Sequence, residues 1–280
     1  MEAGGDEGGG GEETRAARLV RALRDAVAEV VRDHGLTRGE LRKGADILQD
    51  FHHASGISLA TSLIPLVGSA FQSDEGELTP PDDPGPFFLN GAPLISNPGR
   101  VPMRPDEPGI PLVVSGYIRG DDGIPLAGAE VNIFMAANDT HDYSGMGRDE
   151  QPEWNLRARQ PATVDGYYEF RLVTPEPYAI ASVAMVHEVA ASLGRSPYRP
   201  AHLHFVIRHE RLMTDFATEV YFRGDPVIRS DALGPEYASP RLRTDLVLHT
   251  DPEETAHPKG APFHTAVFDF RLRTRTGTLG

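Results

Sequence analysis

The chain contains no cysteine among its 280 residues. This absence excludes a disulfide scaffold, a thiolate-bound zinc site and a cysteine-ligated iron–sulfur cluster. The sequence also lacks any apolar run of about 18 residues, so we expect no transmembrane helix. The first 14 residues carry five carboxylates and no basic residue, unlike the cationic start of a signal peptide. These features predict a cytoplasmic protein.

The chain has fewer basic than acidic residues. There are 27 Lys and Arg residues against 41 Asp and Glu residues, which gives a net charge of −14 and a pI of about 5.2. Nucleic acids and anionic membranes are bound by cationic surfaces, so we expect neither as a partner. The 39% hydrophobic and 8% aromatic content is typical of a globular protein with one large domain or two modest ones.

The composition divides the chain into three parts. Residues 1–13 are predicted to form a disordered, acidic, glycine-rich tail, residues 14–78 a helical unit, and residues 79–280 an all-β sandwich. Ten prolines between Pro80 and Pro111 mark the boundary, because proline lacks the N–H group that helices and central strands need. The predicted fold class is therefore α+β.

Capping signals and apolar spacing indicate the helices. Thr14 precedes a first helix whose apolar residues recur every three or four positions, and Gly35 stands where a helix ends. Thr37 and Glu40 have the spacing of a capping box for a second helix. A further apolar stretch, predicted to be helical, ends at Pro65. We expect this unit to serve packing or dimerisation.

The pattern after the proline-rich segment changes to short strands separated by turn signals such as Asp165-Gly166. There is no internal repeat and no alternation of strands with helices, which favours a sandwich of mixed topology. The predicted strands are Leu112–Arg119, Glu130–Met135, Tyr167–Val173, His202–Arg208, Phe216–Phe222, Leu242–Leu248 and Ala266–Leu272.

The sharpest local feature is a pair of histidines, His202 and His204, on a predicted strand. Residues two apart on a strand point to the same face, so both imidazoles can bind one metal ion. Zinc with a third histidine or a carboxylate is one completion of the site. A ferric ion with anionic oxygen donors is another, and Tyr143 and Tyr178 lie in loop-like stretches where functional side chains commonly occur.

A series of motifs, in order along the chain, resembles the intradiol ring-cleavage dioxygenases, in particular the branch of catechol 1,2-dioxygenase and hydroxyquinol 1,2-dioxygenase. The resemblance covers roughly residues 78–272, and the helical start matches this branch as well. The motifs are Gly85–Phe88, Val114–Tyr117, Gly123–Val131, Asn155–Arg157, Asp165–Arg171, Pro175–Tyr178 and Arg199–His204.

The resemblance implies a ferric iron, Fe(3+), held by Tyr143, Tyr178, His202 and His204. It implies that Tyr178 is the ligand released when substrate binds. It also implies that Arg199 is a catalytic residue that contacts the substrate ring and stabilises negative charge developing on it.

The activity implied is cleavage of a catechol-type ring between its two hydroxyls by O2, giving a cis,cis-muconate-type product. Catechol is the expected substrate, and hydroxyquinol, which would give maleylacetate, is the alternative. The resemblance further implies a homodimer formed through the N-terminal helices. It also implies room for a phospholipid in that helical interface, and the stretch Ile57–Val67 is apolar enough to allow it.

The sequence departs from the family pattern at positions near the implied site. Glu219 stands where a glutamine usually lies near the iron. We assign it a catalytic role with Arg199 as its partner and expect it to alter either the pH profile or the ring-substituent preference. A one-residue misalignment would instead leave Glu219 on the solvent face. His141 replaces the glycine usual two residues before the first tyrosine, and the loop after Tyr178 is unusually apolar.

Two residues of the proline-rich segment are assigned to the substrate pocket. Asp83 and Pro86 lie where relatives often carry pocket-lining residues, and Asp83 would hydrogen-bond an extra ring hydroxyl. Asp83 as a solvated turn residue is the alternative.

Two other classes of protein share part of these features. A transthyretin-like binding module would share the first hairpin but has no use for the two tyrosines and two histidines. A zinc hydrolase would use His202, His204 and Glu219 and would not need Tyr143 or Tyr178.

Overall fold

The first two N-terminal helices begin at the residues that the capping signals predict. A computed structural model describes residues 14–43, 76–82, 84–146, 151–179, 191, 194–231, 239–250 and 261–275. Helix α1 (Arg15–Asp33) begins after Thr14, whose hydroxyl oxygen accepts the N–H of Ala17 at 3.2 Å. Gly35 has a φ of 60°, and residues 38–43 are helical.

The predicted capping box is present: the N–H of Thr37 donates to Glu40 Oε2 at 2.8 Å and the N–H of Glu40 donates to Thr37 Oγ1 at 3.2 Å. No helix that the structure describes is long and apolar enough to cross a membrane. The predicted tail (residues 1–13), the stretch ending at Pro65 and the apolar segment Ile57–Val67 lie outside the described residues.

The rest of the described chain is mainly β-structure. The strands, in chain order, are β1 (Gly99–Arg100), β2 (Pro111–Gly120), β3 (Glu130–Phe134), β4 (Arg157–Pro161), β5 (Tyr167–Val173), β6 (Tyr178–Ala179), β7 (Tyr198–Arg199), β8 (His202–Arg208), β9 (Phe216–Phe222), β10 (Arg243–Thr244), β11 (Leu246–His249), β12 (Phe263–Val267) and β13 (Phe270–Leu272).

The strands form two larger sheets of mixed topology, as predicted. The first has the order β1-β5-β2-β12-β11, with β13 also paired to β2, and the second has the order β10-β9-β8-β3-β4. Strands β12 and β13 run parallel to β2, whereas β2 and β5 are antiparallel. The remaining pair, β6 with β7, is a short antiparallel ladder.

The two sheets pack face to face over one hydrophobic core. Tyr168 and Phe170 of the first sheet meet Phe205 of the second, and the rings of Tyr168 and Phe205 lie 5.8 Å apart. Burial of such aromatic side chains supplies much of the stabilising free energy of a domain of this size. The predicted sandwich is thus what the structure shows for the described part of residues 79–280.

The two C-terminal strand predictions were wrong in their bounds. The predicted strand Leu242–Leu248 is divided, because β10 pairs with β9 in the second sheet and β11 with β12 in the first. Leu242 itself lies in the 3₁₀ turn Pro240–Leu242. The predicted strand Ala266–Leu272 is interrupted where the N–H of Phe268 donates to Ser115 O and the Asp269 carboxylate accepts the N–H of Tyr117.

Strand β4 was missed. Its sequence, Arg-Ala-Arg-Gln-Pro, has no apolar alternation, because its buried positions include Arg157 and Gln160.

Alternation along β8 separates the core from a second face. Leu203, Phe205 and Ile207 contribute to the core between the sheets. Val206 belongs to a smaller cluster with Phe134, Tyr143 and Tyr178 on the other face of this sheet. Since His202 and His204 share the face of Val206, the fold directs both imidazoles toward that cluster.

Gly116 permits a close backbone approach between β2 and the interruption at Phe268. A Cβ atom at Gly116 would lie 1.9 Å from the carbonyl oxygen of Phe268 and 2.6 Å from its carbonyl carbon. We expect Gly116→Ala to lower the free energy of unfolding by about 3 kcal/mol or more, since neither backbone can yield without breaking the ladder. Gly39→Ala, in the segment 38–43, is the control and is expected not to destabilise. Denaturant unfolding of both variants checks this, and equal midpoints would contradict it.

Candidate metal centre

Cross-strand register brings four side chains into one row on the outer face of the second sheet. Arg157 of β4 pairs with Phe134 of β3, Phe134 with His204 of β8, and His204 with Glu219 of β9. Directly opposed residues point to the same side of a sheet. The Phe134 and His204 rings are stacked at 4.4 Å, so the apolar ring holds the imidazole in place.

Both histidines direct their Nε2 atoms to one point. His202 Nδ1 lies 2.7 Å from the carbonyl oxygen of Pro200, which can only accept, so Nδ1 carries the proton. His204 Nδ1 likewise faces the carboxylate oxygen Oε1 of Glu219 at 3.4 Å. The two Nε2 atoms therefore present lone pairs to each other at 3.2 Å. A cation bound between these two atoms would be held by both lone pairs.

Two tyrosine hydroxyls meet the same point from separate segments. Tyr143 lies in the loop after β3, stacked on Phe87 at 4.4 Å, and its Oη is 2.9 Å from His204 Nε2. Tyr178 lies in β6, and its Oη is 2.8 Å from that of Tyr143. Backbone pairing of β6 with β7 sets Tyr178 opposite Arg199.

The separations of these donor atoms fit a bound metal ion. Metal–ligand bonds of about 2.0–2.2 Å place neighbouring ligand atoms about 3 Å apart, and the separations here run from 2.8 to 3.2 Å. His202, His204 and Glu219 also form a group whose ligand atoms all lie within 4.8 Å of one another. The structure thus brings together all four predicted ligands, with Glu219 beside them.

Burial sets the protonation of these groups. It lowers the pKa of His202 to about 4 and that of His204 well below its usual range, so both imidazoles are neutral and ready to bind a metal. Burial also raises the pKa of Tyr178 to about 12 and that of Tyr143 well above its usual range. Binding of a metal as phenolates must therefore release protons from both tyrosines.

Glu219 is buried and faces the site, so the alternative that it lies on the solvent face is wrong. Its carboxylate accepts two hydrogen bonds from Arg199, Nη1 to Oε1 at 2.8 Å and Nη2 to Oε2 at 2.7 Å. The Tyr221 hydroxyl also donates to Oε2. Burial alone would raise the pKa of Glu219, but the attraction of Arg199 holds it well below its usual range.

His141 adopts the backbone conformation that glycine would favour. Its φ is 59°, in the left-handed region. Two hydrogen bonds close the loop around it, from the N–H of His141 to Ala137 O and from the N–H of Ala137 to Asp142 O, both at 2.9 Å. The turn therefore forms without the usual glycine. His141 adopts a left-handed conformation that has a steric cost for a residue with a Cβ atom.

Asn138 joins the two loops that carry the tyrosines, and the sequence offered no sign of this. Its Nδ2 donates to Thr174 O at 3.0 Å, and its Oδ1 accepts the N–H of Glu176 at 3.0 Å. The segment that leads to Tyr178 is thereby fixed to the loop that leads to Tyr143. A lone asparagine before a turn is too common for sequence to single it out.

Arg157 belongs to the motif Asn155–Arg157, but the sequence analysis predicts no function for it. It is fully buried, and its Nε donates to Ser144 O at 3.0 Å. Its guanidinium lies over the rings of Phe134 and Tyr143, at 5.2 and 5.8 Å. An arginine at an inward strand position is the signal that could have identified it.

The two predicted substrate contacts stay predictions. Asp83 lies outside the described residues. Pro86 is exposed and immediately precedes Phe87, the residue stacked on Tyr143. The apolar loop predicted after Tyr178 also lies outside the described residues from residue 180 onward.

Comparison with known proteins agrees with this architecture. A family model described as Dioxygenase matches residues 84–274. The chain is 36% identical over 166 residues to the chlorocatechol 1,2-dioxygenase of Rhodococcus opacus, covering 59% of this chain and 62% of that protein, which is less than two thirds of its length. It is 33% identical over 247 residues to the 6-chlorohydroxyquinol 1,2-dioxygenase of Cupriavidus pinatubonensis, covering 83% of each.

A solved structure shows the same fold. The catechol 1,2-dioxygenase of Pseudomonas arvilla C-1 superimposes with a TM-score of 0.75 at 27% identity, covering 95% of this chain and 88% of that one. The chain therefore belongs to the intradiol ring-cleavage dioxygenase family, whose members are non-haem iron enzymes. The related proteins named here are all 1,2-dioxygenases, but of different catechol-type compounds.

The left-handed conformation of His141 leads to a stability prediction. We expect His141→Gly to raise the free energy of unfolding by up to about 1 kcal/mol, since relief of the steric cost exceeds the extra entropy of an unfolded glycine. His141→Ala is the matched control and should not stabilise, because alanine keeps the Cβ atom. Chemical denaturation measures both, and equal stability of the two variants would refute the explanation.

Proposed function

We propose that this protein is an Fe(III) intradiol dioxygenase that cleaves a catechol-type ring between its two hydroxyls with O2, giving a cis,cis-muconate-type product. The observation that carries the proposal is the convergence of Tyr143 Oη, Tyr178 Oη, His202 Nε2 and His204 Nε2 on one buried point. Family membership supplies the reaction class.

These four side chains would hold the iron. Phenolate oxygen is a hard anionic donor that suits a ferric ion, and two neutral imidazoles complete the donor set. Iron in this place would supply Lewis acidity and a template for the two ring oxygens. Glu219 is the poorer donor here, because both of its oxygens are engaged by Arg199.

The protein side chains carry the proton and charge chemistry. Tyr178 Oη, with a pKa raised to about 12 by burial, is a strong base once ionised, so it can accept a phenolic proton from an arriving substrate. Arg199 stands opposite Tyr178 in the β6–β7 ladder, where its guanidinium can stabilise negative charge on the ring. Tyr143 is held between Phe87 and Phe134 and would stay in place.

Catechol is the substrate we propose, with hydroxyquinol, giving maleylacetate, as the second candidate. The relatives are named for chlorocatechol, 6-chlorohydroxyquinol and catechol, so they support the catechol class as a whole. We further propose that Asp83 and Pro86 line the ring pocket; Phe87, which directly follows Pro86 in the chain, packs on Tyr143 and supports this.

The side chains of the site do not favour the two alternative functions, a binding module and a zinc hydrolase. A transthyretin-like binding module has no need for four metal-binding side chains directed at one point. A zinc hydrolase based on His202, His204 and Glu219 needs a carboxylate that is free to bind metal or activate water, and the Glu219 carboxylate is paired with Arg199.

We also propose that the protein forms a homodimer through its N-terminal helices. Leu19, Val20, Leu23, Val27 and Val30 form an apolar stripe on α1, and all are at least half exposed in the single chain. An exposed stripe of this width at helical spacing is typical of a helix that packs against a partner.

Visible spectroscopy of the iron-loaded protein tests the dioxygenase proposal. We expect a broad tyrosinate-to-iron band that moves to longer wavelength on anaerobic addition of catechol, and consumption of one O2 per ring cleaved in air. Tyr178→Phe should lower turnover at least about a hundredfold, because the base is gone. His202→Ala should lose the metal, because one of its ligands is removed.

A protein that stays colourless after ferrous loading in air, with activity unaffected by Tyr178→Phe, would refute the proposal.

Oligomeric state tests the helical interface. The double variant Leu23→Glu/Val27→Glu should shift the protein from dimer to monomer in analytical ultracentrifugation, because it buries two charges in the stripe. Arg21→Glu, elsewhere on α1, changes the net charge equally and should leave the dimer intact. A wild-type monomer, or dissociation by both variants, would contradict the interface.

A further inference from the structure

A short segment with few backbone donors carries Tyr178 into the site. It comprises residues 174–178, from the end of β5 to the start of β6, and we call it the Tyr178 arm. Pro175 and Pro177 have no N–H group, so half of the residues that precede the tyrosine in this arm cannot donate a hydrogen bond. The position of the arm therefore depends on the few donors and acceptors that remain.

The two remaining N–H groups of the arm bind different parts of the molecule. The N–H of Thr174 donates to Ile110 O at 2.8 Å, next to the ladder of β2 and β5. The N–H of Glu176 donates to Asn138 Oδ1 at 3.0 Å, and Asn138 Nδ2 donates to Thr174 O at 3.0 Å. One side chain thus restrains the middle of the arm, and this side chain belongs to the loop that carries Tyr143.

Asn138 is itself held in place. Its side chain is buried, and its Nδ2 also donates to Pro108 O at 2.9 Å. Gly109 permits this approach, since a Cβ atom there would lie 2.7 Å from Asn138 Nδ2. The loop of Asn138 is closed by the hydrogen bond from the N–H of Ala137 to Asp142 O. A buried amide held by hydrogen bonds on both of its ends has little freedom to move, so it can fix one loop relative to the other.

We propose that Asn138 is a positioning residue that fixes the backbone of the Tyr178 arm, so that only the Tyr178 side chain moves when substrate displaces it. The inference rests on the proposed function, in which Tyr178 is a metal ligand that leaves and acts as a base. With the backbone fixed, Tyr178 Oη starts 2.8 Å from Tyr143 Oη and competes with the arriving substrate for the same place. Once displaced, it stays within reach of the phenolic proton.

Release of the arm would have two opposite consequences. Tyr178 would occupy its place for a smaller fraction of the time, and a site that is open more often binds substrate with a lower apparent dissociation constant. The base would also be poorly placed for proton transfer, and a misplacement of about 1 Å can lower a rate by on the order of a hundredfold. A general loss of stability does not tighten binding, so tighter binding combined with slower turnover identifies a positioning role.

The first experiment compares Asn138→Ala with Asn97→Ala. Asn97 makes the same kinds of hydrogen bond at the opposite end of β4 from the site: its Nδ2 donates to Pro161 O and Tyr167 O, and its Oδ1 accepts the N–H of Glu169. Both variants therefore lose an equivalent contact between segments. Anaerobic visible titration of the iron-loaded proteins with catechol gives the dissociation constants, and O2 consumption gives kcat.

Asn138→Ala is expected to keep its iron, because Tyr143, His202 and His204 remain, and to lose part of the tyrosinate-to-iron absorption. Its dissociation constant for catechol should fall at least about threefold, because Tyr178 competes less well. Its kcat should fall at least about tenfold, because the base is misplaced. Asn97→Ala should keep the wild-type spectrum, dissociation constant and kcat.

Hydrogen exchange in the metal-free protein tests the contact without any reaction. The Glu176 amide should exchange at least about tenfold faster in Asn138→Ala than in wild type, because its acceptor is gone. Asn97→Ala should leave this rate unchanged.

A second pair of variants removes the same hydrogen bond from its donor side. Glu176→Pro lacks the N–H group, whereas Glu176→Ala keeps it, and both lose the same exposed side chain. Glu176 precedes Pro177 and is therefore already confined to extended conformations, which proline can adopt. Glu176→Pro should reproduce the tighter catechol binding and slower turnover, and Glu176→Ala should resemble wild type. This pair decides the question if Asn138→Ala does not fold.

The role of Asn138 is overturned if Asn138→Ala and Glu176→Pro bind catechol no more tightly than wild type, or if Asn97→Ala shows the same changes. Unchanged exchange of the Glu176 amide in Asn138→Ala would also overturn it. The proposed function is judged separately, on wild-type cleavage of catechol. If the wild type cleaves catechol and the variants do not differ from it, only the role of Asn138 fails. If the wild type neither binds nor cleaves catechol, the proposed function fails, and the catalytic role of Asn138 fails with it.

Discussion

The site is built around four buried nitrogen and oxygen atoms that face one another and need a common partner to satisfy them. Two imidazole nitrogens and two phenol oxygens meet at separations of 2.8 to 3.2 Å, and all four side chains are buried. His202 Nδ1 lies against the carbonyl oxygen of Pro200 and His204 Nδ1 faces the Glu219 carboxylate, which favours protons on both Nδ1 atoms and leaves the Nε2 lone pairs directed into the site. A metal ion bound here would satisfy all four atoms, and the neighbouring elements hold these side chains in position.

The sheet and the loops contribute to this site in different ways. The sheet sets the histidines through the alternation of β8 and supports His204 with the stacked ring of Phe134. The tyrosines come from two loops, which Asn138 joins through hydrogen bonds to Thr174 and Glu176. Side chains on a ladder of paired strands are positioned rigidly, whereas a loop residue is only as well placed as the contacts that tie the loop down.

Most of the fold could be predicted, because its signals are local. The caps at Thr14 and Thr37 were confirmed, as were strands β5, β8 and β9 at their exact bounds. Strand β4 was missed because tertiary burial of Arg157 overrides the alternation that marks a strand. The prediction joined β12 and β13 into one strand because pairing to β2 breaks at Phe268. The N–H of Phe268 donates instead to Ser115 O, 153 residues earlier in the chain, and no local pattern encodes that contact.

The sequence by itself determined the residue types available for chemistry and their local geometry. The absence of cysteine, the shared face of His202 and His204, and the order of motifs follow from composition and backbone periodicity, which act over a few residues. The tertiary structure decided which distant groups meet. Only strand register brings Glu219 to His204, and only the paths of the loops bring Tyr143 to Tyr178. The pair of Arg199 and Glu219 also forms only in the folded chain, across 20 positions of sequence. These contacts set burial and charge, and therefore the chemistry of the site, because electrostatic energies depend on distance in space and on exclusion of water.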